Sequence, residues 1–123
     1  MIILTSCHHE DKALKEVITN ADSVAINYFT GDGKVDSVTS VKIIKDKNII
    51  QQLTNQITAS QSEFKTRCGY DGSIHFFKED KVVQDIKFRM NSADCMQFSF
   101  KEDGQQAATT LSPEAKQLLT SLK

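Results

Sequence analysis

A thiol and an imidazole stand at Cys68 and His75, and Asp71-Gly72 lies between them. Asp-Gly is a favoured two-residue hairpin loop, because its backbone accepts the left-handed conformations such turns need. The spacing predicts strands over residues 64–70 and 73–78 that close on this loop, so that residue 68 faces residue 75. Cys68 and His75 would then be cross-strand neighbours, and the imidazole could draw off the thiol proton to leave a thiolate nucleophile. Catalysis also needs a cleft and donors for an oxyanion, and a flat hairpin face supplies neither. The pair defines a rival reading, a small thiol enzyme.

Other candidates dissolve on inspection. Cys68-Gly69-Tyr70-Asp71-Gly72 lacks the following helix whose free amides would cradle a phosphate. It has one carboxylate where calcium takes several oxygen ligands. A turn accounts for it. His8-His9-Glu10-Asp11-Lys12 offers two imidazoles, but adjacent residues do not share a face of a regular element, and no third ligand stands nearby. That stretch reads as a hydrated tether. Tyr70, Phe76 and Phe77 could form an aromatic binding strip, although aromatics on an alternating strand usually supply core. Which of Phe76 and Phe77 points inward stays open. No catalytic residue, metal or cofactor is expected.

The elements that would position these groups follow from periodicity. Leu14, Val17, Ile18 and Ala21 recur at helical spacing and predict a short helix over residues 11–20. Residues 22–30 alternate, with Val24, Ile26 and Tyr28 on one face, and Gly31-Asp32-Gly33 turns the chain into a second strand over residues 36–45. Asp46 is a good N-cap, and Ile49, Ile50, Leu53 and Ile57 stripe a helix over residues 47–59 that ends at Ser60-Gln61-Ser62. Residues 81–90 alternate, placing Val82, Ile86, Phe88 and Met90 inward and Asp85, Lys87 and Arg89 outward. Residues 95–101 repeat the pattern with Met96, Phe98 and Phe100 inward. Asp103-Gly104 turns into an edge strand over residues 105–110. Ser112-Pro113-Glu114 then opens a last helix with a cap, a proline at its first position and an acid near its positive end. Leu111, Ala115, Leu118, Leu119 and Leu122 are its apolar stripe. The expected fold class is α+β: an antiparallel sheet, mostly a meander, with helices packed on one face. The other face is left to solvent or to a ligand.

Composition narrows the function classes. A chain of 123 residues with 39% hydrophobic and 25% charged residues suits one core that folds without a metal. Its net charge is −1, with no clustered cations of the kind that neutralise phosphates, so nucleic acid is not an expected partner. No apolar run approaches the ~18 residues of a membrane span.

The amino terminus, Met1-Ile2-Ile3-Leu4-Thr5-Ser6-Cys7, leads apolar residues into two small ones and a cysteine. It resembles the end of a bacterial lipoprotein signal, the lipobox, with Leu4, Thr5 and Ser6 preceding the modified Cys7. The resemblance covers these residues alone. It implies that the Cys7 thiol receives diacylglycerol, that the bond before it is cut, and that the new amino group is acylated. Several chains anchor firmly, since each buried methylene contributes ~0.8 kcal/mol. Such a signal has an apolar stretch of ~7–15 residues and only Ile2-Ile3-Leu4 stand here, so translation is expected to start upstream of Met1. His8 after the cysteine resembles outer-membrane sorting, and Glu10-Asp11 resembles surface-exported lipoproteins. Residues 1–10 are thus expected to be signal remnant and tether, and residues 11–123 a single α+β domain.

A lipidated Cys7 leaves Cys68 and Cys95 in a compartment that permits oxidation, and the resemblance so implies a disulfide between them. In a simple meander their strands lie three positions apart, or ~14 Å at ~4.8 Å per strand. A disulfide spans at most ~7 Å between Cα atoms. Either Cys68 leaves the ladder through a loop around Gly69, or the strand order differs. The expected function is a non-enzymatic, lipid-anchored binding or interaction domain of the cell envelope, such as an inhibitor or accessory subunit. It would face the periplasm or the exterior, with the outer membrane favoured, and bind an unknown protein or envelope ligand. The rivals are the thiol enzyme and a cytosolic structural protein with three reduced cysteines.

Overall fold

The computed structural model describes residues 10–29, 38–66 and 68–123; Cys7 with its lipobox-like residues, His8, His9 and the Gly31-Asp32-Gly33 turn lie outside them. The first helix is α1 (Lys12–Ile18), followed by β1 (Ser23–Phe29), β2 (Val38–Ile44) and α2 (Lys47–Thr58). A short β3 (Gln61–Ser62) precedes β4 (Gly72–Lys78), β5 (Lys81–Arg89), β6 (Gln97–Glu102) and β7 (Gln105–Thr110), and α3 (Pro113–Leu122) closes the chain. Each helix starts on a side-chain cap that satisfies an amide with no partner inside the helix. Asp11 accepts from Leu14 N, Asp46 from Asn48 N and Ser112 from Ala115 N.

The fold is α+β, with one antiparallel sheet in the order β2-β1-β4-β5-β6-β7-β3. Alternate residues of each strand point to the helices, and there the apolar side chains collect. Val24, Ile26 and Tyr28 of β1 meet Ile74 and Phe76 of β4, Ile86 and Phe88 of β5, and Phe98 and Phe100 of β6, all buried. Leu14, Ile18, Ile50, Leu53, Ile57, Ala115 and Leu119 cover them from the helical side. The Tyr28 hydroxyl donates to the Leu119 carbonyl at 2.6 Å, tying α3 to the sheet. Gly72 is required where it stands, since a Cβ would lie 2.3 Å from both the Asn27 carbonyl and the Phe88 ring.

Several expectations need correction. Residues 64–70 do not form a strand, and Asp71-Gly72 is not a hairpin loop. Instead α2 leads from the β2 edge towards β3 at the opposite edge, and the chain returns to insert β4 between β1 and β5. Most of the sheet is the expected meander, since β4, β5, β6 and β7 are consecutive neighbours, but β7 is not an edge, because β3 covers it at Gln61↔Thr109 and Ser62↔Ala108. The reason lies in Asp71, whose buried carboxylate pairs with Arg89 at 2.9 Å and accepts from the amides of Met90 and Asn91. A turn position would leave all these groups unpaired. Next, Val82 is not in the core. A bulge in the β4–β5 ladder sets Phe77 opposite Val82 but Phe76 opposite Gln84, which turns Val82 to the outer face at 49% exposure. Phe76 is the buried member of its pair and Phe77 lies on that outer face. Finally, Val17 of α1 is exposed.

Candidate functional site on the open sheet face

The face away from the helices presents Ala25, Asn27 and Phe29 of β1, Ser73, His75 and Phe77 of β4, Asp85, Lys87 and Arg89 of β5, and Gln97 and Ser99 of β6. The ladders set these side by side: Ala25, His75 and Asp85 share one row, and Asn27, Ser73, Lys87 and Ser99 the next. Val38, Val41 and Ile43 of β2 stand exposed at its edge. The exposed strand positions of this face are therefore a mixture of apolar and polar residues.

One end of this face is strapped by the return from β3 to β4. Gln97 holds the strap by clamping Lys65, accepting from its amide at 3.1 Å and donating to its carbonyl at 2.9 Å. Further along, Cys68 is joined to Cys95 by a disulfide, with Cα atoms 5.8 Å apart. Gly69, at φ 69°, takes the left-handed turn that follows. The Lys87 ammonium then sits 5.0 Å from the centre of the Tyr70 ring. Cys68 lies outside the ladder, in the return before β4, and this brings the two sulfurs within reach. Beside the strap a groove of about 380 Å³ runs between β5 and β6, lined by Tyr70, Val82, Asp85, Lys87 and Lys101 among others. There β5 and β6 pair only over Lys87–Arg89, and the Gln84 amide reaches the Asp85 and Lys101 carbonyls instead.

Cys68 and His75 are therefore not a catalytic pair, since the Cys68 sulfur is bonded to Cys95 and the imidazole has other partners. His75 Nδ1 lies 2.5 Å from the Asp85 carboxylate, and His75 Nε2 lies 3.2 Å from Ser73 Oγ. Asn27 Nδ2 donates to the same Ser73 Oγ at 3.2 Å. Sequence reasoning missed this group, though Ser73-x-His75 has the two-residue spacing that puts both on one face of a strand. Asp85 was harder to place. The Glu79-Asp80 turn, with both residues at positive φ, pairs Lys78 with Lys81, and an unbroken ladder from there would set Gln84 opposite His75. The bulge brings Asp85 there instead.

The shifted ionisable groups lie on the other side of the sheet. Burial pushes the Tyr28 hydroxyl up to about 12. Glu102 is raised first by desolvation, then by its hydrogen bond with Asp11 and the negative charges of Asp11 and Asp103. Among the described residues no three His, Cys, Asp or Glu side chains gather to hold a metal, and no helix is long and apolar enough to cross a membrane. No protein-family model, curated protein or solved structure matches the chain.

Proposed function

We propose that this chain is a lipid-tethered domain of the bacterial cell envelope that offers the open face of its sheet to a partner or ligand. The Cys68–Cys95 disulfide carries the reading. Disulfides persist in oxidising compartments and are rare in the cytosol, so this bond favours export over the cytosolic alternative. The lipobox-like residues Leu4, Thr5 and Ser6 before Cys7 supply the means of attachment. The same bond uses the thiol that the rival enzyme reading required.

The open face suits contact. Val38, Val41, Ile43 and Val82 are exposed there, around a polar centre of Asn27, Ser73, His75 and Asp85. A disulfide and the Gln97 side chain tie the strap to one end of this surface, and surfaces ordered in advance lose less entropy on binding. An inhibitor or accessory subunit of an envelope enzyme is a form such a domain would take.

The test is to express the gene with its native upstream region and take the intact mass of the mature protein. The reading expects a chain that begins at Cys7 and carries diacylglycerol on its thiol. An unmodified chain beginning at Met1 would end it.

A further inference from the structure

We infer that Ser73 is an activated hydroxyl nucleophile, and that the open face carries a hydrolytic site for small carboxylic esters. His75 is its base, Asp85 its positioning residue, and Asn27 its oxyanion donor. The inference uses the face assigned above to binding but not the lipid anchor, so either can fail alone.

The assignment starts from which atom meets which. Serine hydrolysis by an imidazole requires one ring nitrogen at the hydroxyl and the other at a carboxylate. Here Nε2 is 3.2 Å from Ser73 Oγ and Nδ1 is 2.5 Å from Asp85 Oδ1. A proton on Nδ1, directed to the carboxylate, leaves the Nε2 lone pair facing Ser73. Asn27 donates to Ser73 Oγ, so the oxygen already accepts one hydrogen and its own hydrogen is free to point at Nε2. Every bond in the series Asn27, Ser73, His75, Asp85 then runs donor to acceptor in one direction. The imidazole, by accepting the hydroxyl proton, makes that oxygen more nucleophilic, while Asn27 holds it in place.

The flanks of Ser73 answer the need for an oxyanion hole. In the ladder Ser73 has Asn27 on one side and Lys87 on the other. The second Asn27 amide hydrogen is a donor of the kind that stabilises a developing oxyanion. Substrate size follows from access. Ser73 is 7% exposed, so an acyl group as small as acetyl is the one expected to reach it. The groove that begins at Asp85 and Lys87 gives the alcohol portion of the ester somewhere to lie.

The step balances with water as the only co-reactant. Ser73 Oγ bonds to the ester carbonyl carbon while its proton passes to His75 Nε2. The carbon–oxygen bond to the alcohol breaks, and the departing alkoxide takes that proton. Water, deprotonated by His75, then attacks the acyl-serine, releases the carboxylic acid and returns the proton to Ser73 Oγ.

The experiment treats the full, disulfide-intact chain with p-nitrophenyl acetate and maps acetylation by peptide mass spectrometry, with exposed lysines in the same sample as the internal measure of reagent. Acetyl on Ser73 is expected to appear ahead of the lysines and to vanish in Ser73→Ala. His75→Gln is expected to slow it about 100-fold, the scale of a lost general base. Asp85 is 68% exposed, so Asp85→Asn leaves the fold intact and is expected to slow Ser73 acetylation about tenfold. Finding neither acetyl on Ser73 nor p-nitrophenol release in excess of the Ser73→Ala protein, or equal rates in the Asp85→Asn and unaltered proteins, would overturn the inference.

Discussion

The two faces of this sheet are built from the same strands and do opposite work. The helix-covered face is a continuous apolar layer in which Phe76, Phe88 and Phe98 are essentially unexposed. Its polar groups are few, and Tyr28 is one that finds a partner, at Leu119. The other face has small and polar residues at its centre, with Asn27, Ser73, His75 and Asp85 hydrogen-bonded to one another. Burial of apolar area is the main source of stability, so the covered face bears the fold. That leaves the open face free to carry polar groups the core does not need.

The sharpest test of this division pairs one residue from each face. Phe88→Ala is expected to cost about 3–5 kcal/mol in urea denaturation, because it removes a buried ring and leaves a cavity. Val41→Ala on the open face is expected to stay within about 0.5 kcal/mol. Comparable losses would break the comparison. The strap gives the next largest effect. Cys68→Ser is expected to cost about 3 kcal/mol by freeing the unfolded chain, and the double replacement with Cys95→Ser little more.

Much of the covered face was legible in the sequence, and much of the open face was not. Val24, Ile26, Tyr28, Ile86, Phe88, Phe98 and Phe100 declare themselves by two-residue alternation, because one face of each strand must be apolar. The caps Asp46 and Ser112 were equally plain. What alternation cannot report is which strand lies beside which. Asp71-Gly72 has the composition of a hairpin loop, yet Asp71 serves a longer-range need, pairing with Arg89 and the Met90 and Asn91 amides. The meeting of His75 with Asp85 depended on a bulge that no local signal near Val83 announces. Cys68 and Cys95 were singled out from the sequence, but only the strap explains how they reach each other.

Smaller effects sharpen the account of the covered face. The Thr109 hydroxyl is fully buried there with no hydrogen-bond partner. Thr109→Val keeps the shape and removes the unpaired group, so a gain of about 1 kcal/mol is expected by the same denaturation. Glu102 gives the smallest effect, visible as a slope. Its carboxyl is raised by desolvation and by Asp11, so the folded state holds that proton more tightly than the unfolded state. Stability should therefore fall as pH rises from the ordinary glutamate range through the raised value. Glu102→Gln should flatten that part of a plot of Tm against pH.

The central claim is that the domain works outside the cytosol with its strap oxidised, and thiol alkylation of protein taken directly from its native envelope tests it most directly. The sample is alkylated without reduction, digested and read by mass spectrometry. The account predicts a Cys68–Cys95 cross-linked peptide with no alkyl group on either residue. Alkylated Cys68 in that preparation would contradict it, removing the bond that argues for export and returning a free thiol to the strap.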